Sequence, residues 1–151
     1  MSARALAIEL DPVLGDTRPL WQEWIEDVAR RLKLDLGALP DDRVAAAAEL
    51  DLLVGNWRPL LERFAEDRAP VHFRPHADVS AALRRLQAGG VGLGAFTDTP
   101  EELARVALEH LGALRRLDGW EAGPDALERL RVSLGKDALV VRTRGELLSS
   151  I

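Results

Sequence analysis

The chain contains no cysteine, which excludes disulfides, thiolate catalysis and cysteine-ligated zinc and suits a reducing compartment. Lysine is scarce: of 20 basic residues only Lys33 and Lys136 are lysines. Long apolar runs are missing too. Stretches such as Val91–Phe96 and Ala138–Val141 are far too short to cross a bilayer, and the N-terminus has no apolar signal core. These absences point to a cytoplasmic protein with no membrane partner. With a net charge of −5 and no basic run to neutralise a phosphate backbone, nucleic acid is not an expected partner either. What remains is an acidic chain of 151 residues, 47% hydrophobic and 30% charged. A domain of this size hides about 70% of the surface its unfolded chain exposes, enough for one well-buried core.

Ala5–Leu10 is an apolar run interrupted only by Glu9, and it stops at Asp11-Pro12, where proline removes a ladder donor. It reads as a strand ending in a sharp loop. From Pro19, Trp21, Trp24, Ile25, Val28 and Leu32 share one helical face, with an end expected near Gly37. Asp41-Asp42 starts a second, alanine-rich helix reaching about Val54, and Trp57, Leu60, Leu61 and Phe64 mark a third. Residues 18–70 therefore form a helical insertion.

The second half alternates helices with short apolar runs. Ala77–Ala88 is a helix closed by Gly89-Gly90, and Val91–Phe96 is the next strand. Thr99-Pro100-Glu101-Glu102 has the form of a capping box, opening a helix that buries Leu103, Val106, Ala107 and Leu111. Pro124 opens a further helix, and Ala138–Val141 is a third strand. This order predicts an α/β fold with a small parallel sheet flanked by helices and right-handed crossovers. Ligands of such sheets gather at the carboxyl ends of the strands. Glu9 and Asp11, Thr97 and Asp98, and Arg142 to Arg144 then share one rim.

The run from Ala5 through Glu9-Leu10-Asp11-Pro12-Val13-Leu14-Gly15-Asp16-Thr17 resembles the first motif of the haloacid dehalogenase-like superfamily, in its phosphoglycolate phosphatase-like branch. There an apolar strand precedes Asp-x-Asp-Gly-(Thr or Val)-Leu-x-Asp-(Ser or Thr). Gly90 to Asp98 is similar to the family's second motif, a Thr or Ser after a strand, and a helical insertion between the two is where this branch places its cap. The resemblance implies a Rossmann-like core of residues 1–17 and 71–151 with a cap at 18–70. It also implies a C-terminally shortened sheet, since the family continues through another strand.

In that family the first Asp attacks phosphorus, the second serves as general acid and base, Thr and Lys hold phosphate oxygens, and acids of a fourth motif help to bind Mg²⁺. Here Asp11 matches the acid/base and Thr97 the hydroxyl, but Glu9 stands at the nucleophile. Glu is one methylene longer, and a displacement near 1 Å can cost about a hundredfold in rate. Gly123-Pro124 replaces the family's Lys-Pro, and Arg142-Thr143-Arg144-Gly145-Glu146 replaces its metal acids. The resemblance thus implies a catalytically inactive or impaired phosphatase homologue with vestigial Glu9 and Asp11, acting as a binding or regulatory module. Its anion site would be drawn from Thr97, Arg142 and Arg144, with no resident metal. A guanidinium of Arg142 or Arg144 could sit where the metal would; alternatively both point into solvent. Two other readings stay open: a weak phosphohydrolase using Glu9 and Mg²⁺, and an assembly protein that dimerises through the cap or an open sheet edge. A small anion or a protein is the expected partner.

Overall fold

A computed structural model describes residues 4–151. Its strands are β1 (Ala5–Glu9), β2 (Gly92–Thr97), β3 (Gly119–Ala122) and β4 (Leu139–Val141), and its helices are α1 (Arg18–Leu32), α2 (Arg43–Leu53), α3 (Arg58–His72), α4 (Ala77–Ala88), α5 (Glu101–His110), α6 (Ala126–Leu134) and α7 (Arg144–Leu148). The strands form one sheet in the order β3-β2-β1-β4, parallel throughout. The expected α/β architecture is therefore present, with one strand and one helix more than the sequence pattern indicates. No helix among the described residues is long and apolar enough to cross a membrane.

Residue size explains how the sheet is covered. On β1, Leu6 and Ile8 face one side and Ala5 and Ala7 the other, and Ala5 and Ala7 pair with Gly92 and Gly94 of β2. The large face packs into the main core with Val79, Leu83 and Leu86 of α4 and Leu103, Val106 and Ala107 of α5. The small face is shallow enough for α6 to lie close, with Leu130 fully buried against it. A Cβ on Gly94 would stand 2.9 Å from Leu130 Cδ1 and 3.0 Å from Leu134 Cδ2. Gly94 thus sets the distance at which α6 can pack.

β3 was not expected. Gly119-Trp120-Glu121-Ala122 has no apolar run, and each of its residues is only half-buried, as suits an edge strand. Asp118 anchors it: its backbone N–H donates to the Leu93 carbonyl, and its carboxylate accepts from Leu93 N at 2.9 Å. α7 also escapes the apolar pattern, being a short helix that Thr143 caps by accepting from Glu146 N.

Two helix ends differ from expectation. α1 stops at Leu32 rather than near Gly37, because Lys33 takes a left-handed conformation (φ 54°) that breaks the ladder. The capping box at Thr99 does not form. Pro100, with ψ 146°, is the residue flanking α5, which leaves Thr99 one position too early, and its buried hydroxyl has no partner among the described residues. Asp42, by contrast, caps α2 as expected, accepting from Val44 N at 3.0 Å.

The three helices between β1 and α4 share the main core. Trp21, Trp24 and Trp57 are all buried, with ring centroids 5.4 to 6.5 Å apart. Each such pair adds about 0.5–1.5 kcal/mol beyond its area burial. Trp57 Nε1 donates to Asp51 at 2.8 Å, satisfying the indole. Polar contacts tie α3 to its neighbours. Arg105 of α5 donates to Glu62 and Glu66, and Arg58 to Glu102. His72 Nε2 lies 3.2 Å from Glu23 of α1, and this contact, aided by Arg68, holds the Glu23 carboxyl below its usual value against a smaller opposing effect of burial. His72 is thus held against α1.

Gly94→Val should lower stability by about 1–3 kcal/mol, the usual cost of overpacking, measured by urea denaturation. Gly119→Ala, where a Cβ meets nothing within 4 Å, should be nearly neutral. Equal effects at the two positions would contradict the close approach of α6.

Candidate functional site

The carboxyl ends of the strands converge on a cleft of about 440 Å³. β1 ends at Glu9, β2 at Thr97, β4 precedes Arg142, and Gly123 follows β3. This rim is where an open parallel sheet binds ligands.

Asp11 is the most constrained group there. After β1 the chain makes one wide turn, Leu10–Leu14, closed by Gly15 N donating to the Leu10 carbonyl at 3.1 Å. The turn buries Asp11 to 4% exposure. Its Oδ1 accepts from Thr17 N at 2.9 Å, and its Oδ2 accepts from Thr17 Oγ1 at 2.6 Å. Thr17 therefore serves the site rather than capping α1. A buried carboxylate needs a counter-charge, and it comes from Arg43 at the start of α2. Arg43 Nη2 donates to Asp11 Oδ2 at 2.9 Å and to Asp98 Oδ1 at 2.8 Å. Its Nε donates to Asp98 at 3.2 Å and its Nη1 to Thr17 Oγ1, and the whole residue is only 4% exposed. Such charge-assisted bonds are about twice as strong as neutral ones.

Glu9 is held separately. Arg142 Nη1 donates to its carboxylate, and the Arg142 guanidinium lies 5.4 Å from the centroid of the Phe96 ring. Phe96 is the register partner of Glu9 across β1 and β2. This pair is more exposed, 56% for the Arg142 side chain and 28% for Glu9.

Of the residues singled out from sequence, Glu9, Asp11, Thr97 and Arg142 meet in the cleft. Arg144 does not. Its Nε donates at 3.4 Å to the Val13 carbonyl, because Thr143 caps α7 and the helix carries Arg144 behind the Leu10–Leu14 turn. The Thr97 hydroxyl accepts from Thr99 N at 3.2 Å, folding the β2–α5 loop on itself. Glu146 accepts from the backbone N–H of Arg142. The carboxylates lining the cleft, Glu9, Asp11, Asp98, Asp125 and Glu128, outnumber its guanidiniums, Arg18, Arg43 and Arg142.

Arg43 is the residue that sequence reasoning missed. It lies 32 positions from Asp11 and 55 from Asp98, so no spacing rule connects them. A cation in the first turn of a helix opposes the helix dipole, but Arg18, Arg58 and Arg144 open α1, α3 and α7 in the same way, so this feature does not single out Arg43.

No family model and no curated protein sequence matches the chain. Solved structures do. The chain is similar to CbbY from Rhodobacter sphaeroides in complex with phosphate, at 13% identity and a TM-score of 0.69 over 91% of this chain and 76% of that one. It is similar to a HAD phosphatase from Thermococcus onnurineus at 18% identity and a TM-score of 0.54, over 99% and 97% of the two chains. It is also similar to the L-2-haloacid dehalogenase of Xanthobacter autotrophicus, at 16% identity and a TM-score of 0.51 over 93% and 69%. The chain has the haloacid dehalogenase-like fold. At these identities the likeness shows the fold alone.

The resemblance raises Mg²⁺, and the residues present do not fit it. Asp11 already carries three donors, Asp98 and Glu9 are each bound by arginine, and the segment after β4 presents Arg142 rather than acids. Among the described residues no three Asp, Glu or His side chains are grouped to hold a metal ion.

The two ion pairs should differ in energy. Arg43→Ala leaves Asp11 buried and uncompensated and should destabilise by about 3–5 kcal/mol. Arg142→Ala breaks a largely exposed pair and should cost about 0–1 kcal/mol. Urea denaturation of both variants decides; equal losses would show that the Arg43 network does not carry the site.

Proposed function

We propose that this chain is a non-catalytic haloacid dehalogenase-like module that serves binding or regulation rather than phosphate-ester hydrolysis. The observation that carries the reading is that both carboxylates at the positions of nucleophile and acid/base are engaged by donors of the chain itself. Asp11 is held by Thr17 and Arg43, and Glu9 by Arg142.

The physical argument concerns availability. A carboxylate nucleophile must present a free oxygen in line with the phosphorus at about 3–3.5 Å. Glu9 is one methylene longer than Asp and is turned toward Arg142. A general acid must carry a proton toward the leaving group. The Asp11 oxygens instead accept bonds from the Thr17 backbone N–H and hydroxyl and from Arg43. Cation attraction for phosphate is also diminished, since Arg43 and Arg142 are each paired with carboxylates. Gly123, which lines the cleft, and the Pro124 that follows it supply no ammonium where the family has Lys-Pro. The losses fall on several elements at once, so a single reversion does not recover the chemistry.

The test is turnover of generic phosphate esters with and without Mg²⁺. Wild type and Glu9→Asp should both stay at background. Mg²⁺-dependent turnover that disappears in Glu9→Ala would establish the weak-hydrolase reading instead, with Glu9 as its nucleophile.

A further inference from the structure

A single nitrogen, Arg43 Nη2, lies 2.9 Å from Asp11 Oδ2 and 2.8 Å from Asp98 Oδ1. Two anionic oxygens from different elements, the turn after β1 and the loop after β2, therefore converge on one point, and that point is held by a cation. The cation is not a chance visitor. Arg43 is 4% exposed, and its Nη1 and Nε are also occupied, by Thr17 Oγ1 and Asp98 Oδ1. Asp42 caps the helix that presents it, and the Arg43 backbone N–H itself points to Asp98 Oδ2 at 3.4 Å. Main chain and side chain of one residue thus address the same carboxylate.

Small hard cations take such positions readily. Mg²⁺ usually keeps several waters and binds through one or two carboxylates, which is what Asp11 and Asp98 would offer without Arg43. A guanidinium differs in being fixed to the chain and charged at every accessible pH. From this geometry we infer that Arg43 is an intramolecular replacement for a divalent cation, and that Arg43 and divalent metal compete for the same carboxylates, Asp11 and Asp98. The charge of the site is then independent of metal supply. Because the guanidinium belongs to α2, it also fastens that helix to the rim of the sheet. Removing the guanidinium while retaining an apolar stem should turn this closed ion pair into an open cation site.

The inference rests on the non-catalytic reading only in that both assign Asp11 to an internal cation, and the two fail separately. The probe is Mn²⁺, followed by the electron paramagnetic resonance signal of the free ion, on wild type, Arg43→Met and the double variant Arg43→Met/Asp98→Asn. Wild type should leave Mn²⁺ free. Arg43→Met should bind it one to one, at least about tenfold more tightly, since an uncompensated buried carboxylate gains strongly from a counter-ion. The double variant should lose that gain. Mn²⁺ binding by wild type that Asp98→Asn removes would overturn the inference, as would a folded Arg43→Met that binds no better than wild type. Should Arg43→Met fail to fold by circular dichroism, Arg43→Gln takes its place, and the wild-type titration remains decisive by itself. Phosphate-ester turnover without Mn²⁺ binding would sink the functional reading and leave this inference standing.

Discussion

The buried pairing of Asp11 with Arg43 is the interaction on which the arrangement of this site depends. Asp11 is carried into the interior by the wide turn that follows β1, and a lone carboxylate there would be several kcal/mol unfavourable. Its counter-charge arrives from a helix that lies between β1 and α4 in the chain, and Thr17 and Asp98 fill the remaining hydrogen-bonding positions. Such a network is weak evidence for net stability, because desolvating the charges offsets most of their attraction. What it does provide is a unique arrangement: α2, the turn after β1 and the loop after β2 can share these bonds only in one relative position.

The sheet explains why the site can be so compact. Small residues at Ala5, Ala7, Gly92 and Gly94 let α6 approach one face, while large residues on the other face join a core that includes the three tryptophans. The backbone ladder holds neighbouring strand ends about 4.8 Å apart, and side chains as short as Asp11 and Thr97 reach a common cleft. The same closeness brings Arg142 over Phe96 and onto Glu9. Two ion pairs of different character result, one buried and shared among several groups, the other at the rim.

Much of this was legible in the sequence where the signal was local. β1, β2 and β4 announce themselves by apolar runs and α4 by its stripe and terminal glycines, and the order of these elements already implies a parallel sheet with Glu9, Thr97 and Arg142 on one rim. β3 was hidden because an edge strand needs no continuous apolar run, and its anchor is a single aspartate, Asp118. Thr99 misled because its sequence context fits a cap that the backbone at Pro100 places one residue later. The central cation was the hardest to see. An arginine opening an alanine-rich helix looks like a solvent-facing residue until the fold carries it to a carboxylate far away in the chain.

The most direct test of the central claim is a crystal structure determined from Mg²⁺-rich solution. The account predicts that the Arg43 guanidinium still bridges Asp11 and Asp98, with Glu9 still on Arg142. A Mg²⁺ ion bound between Glu9 and Asp11, with Arg43 turned away, would contradict it.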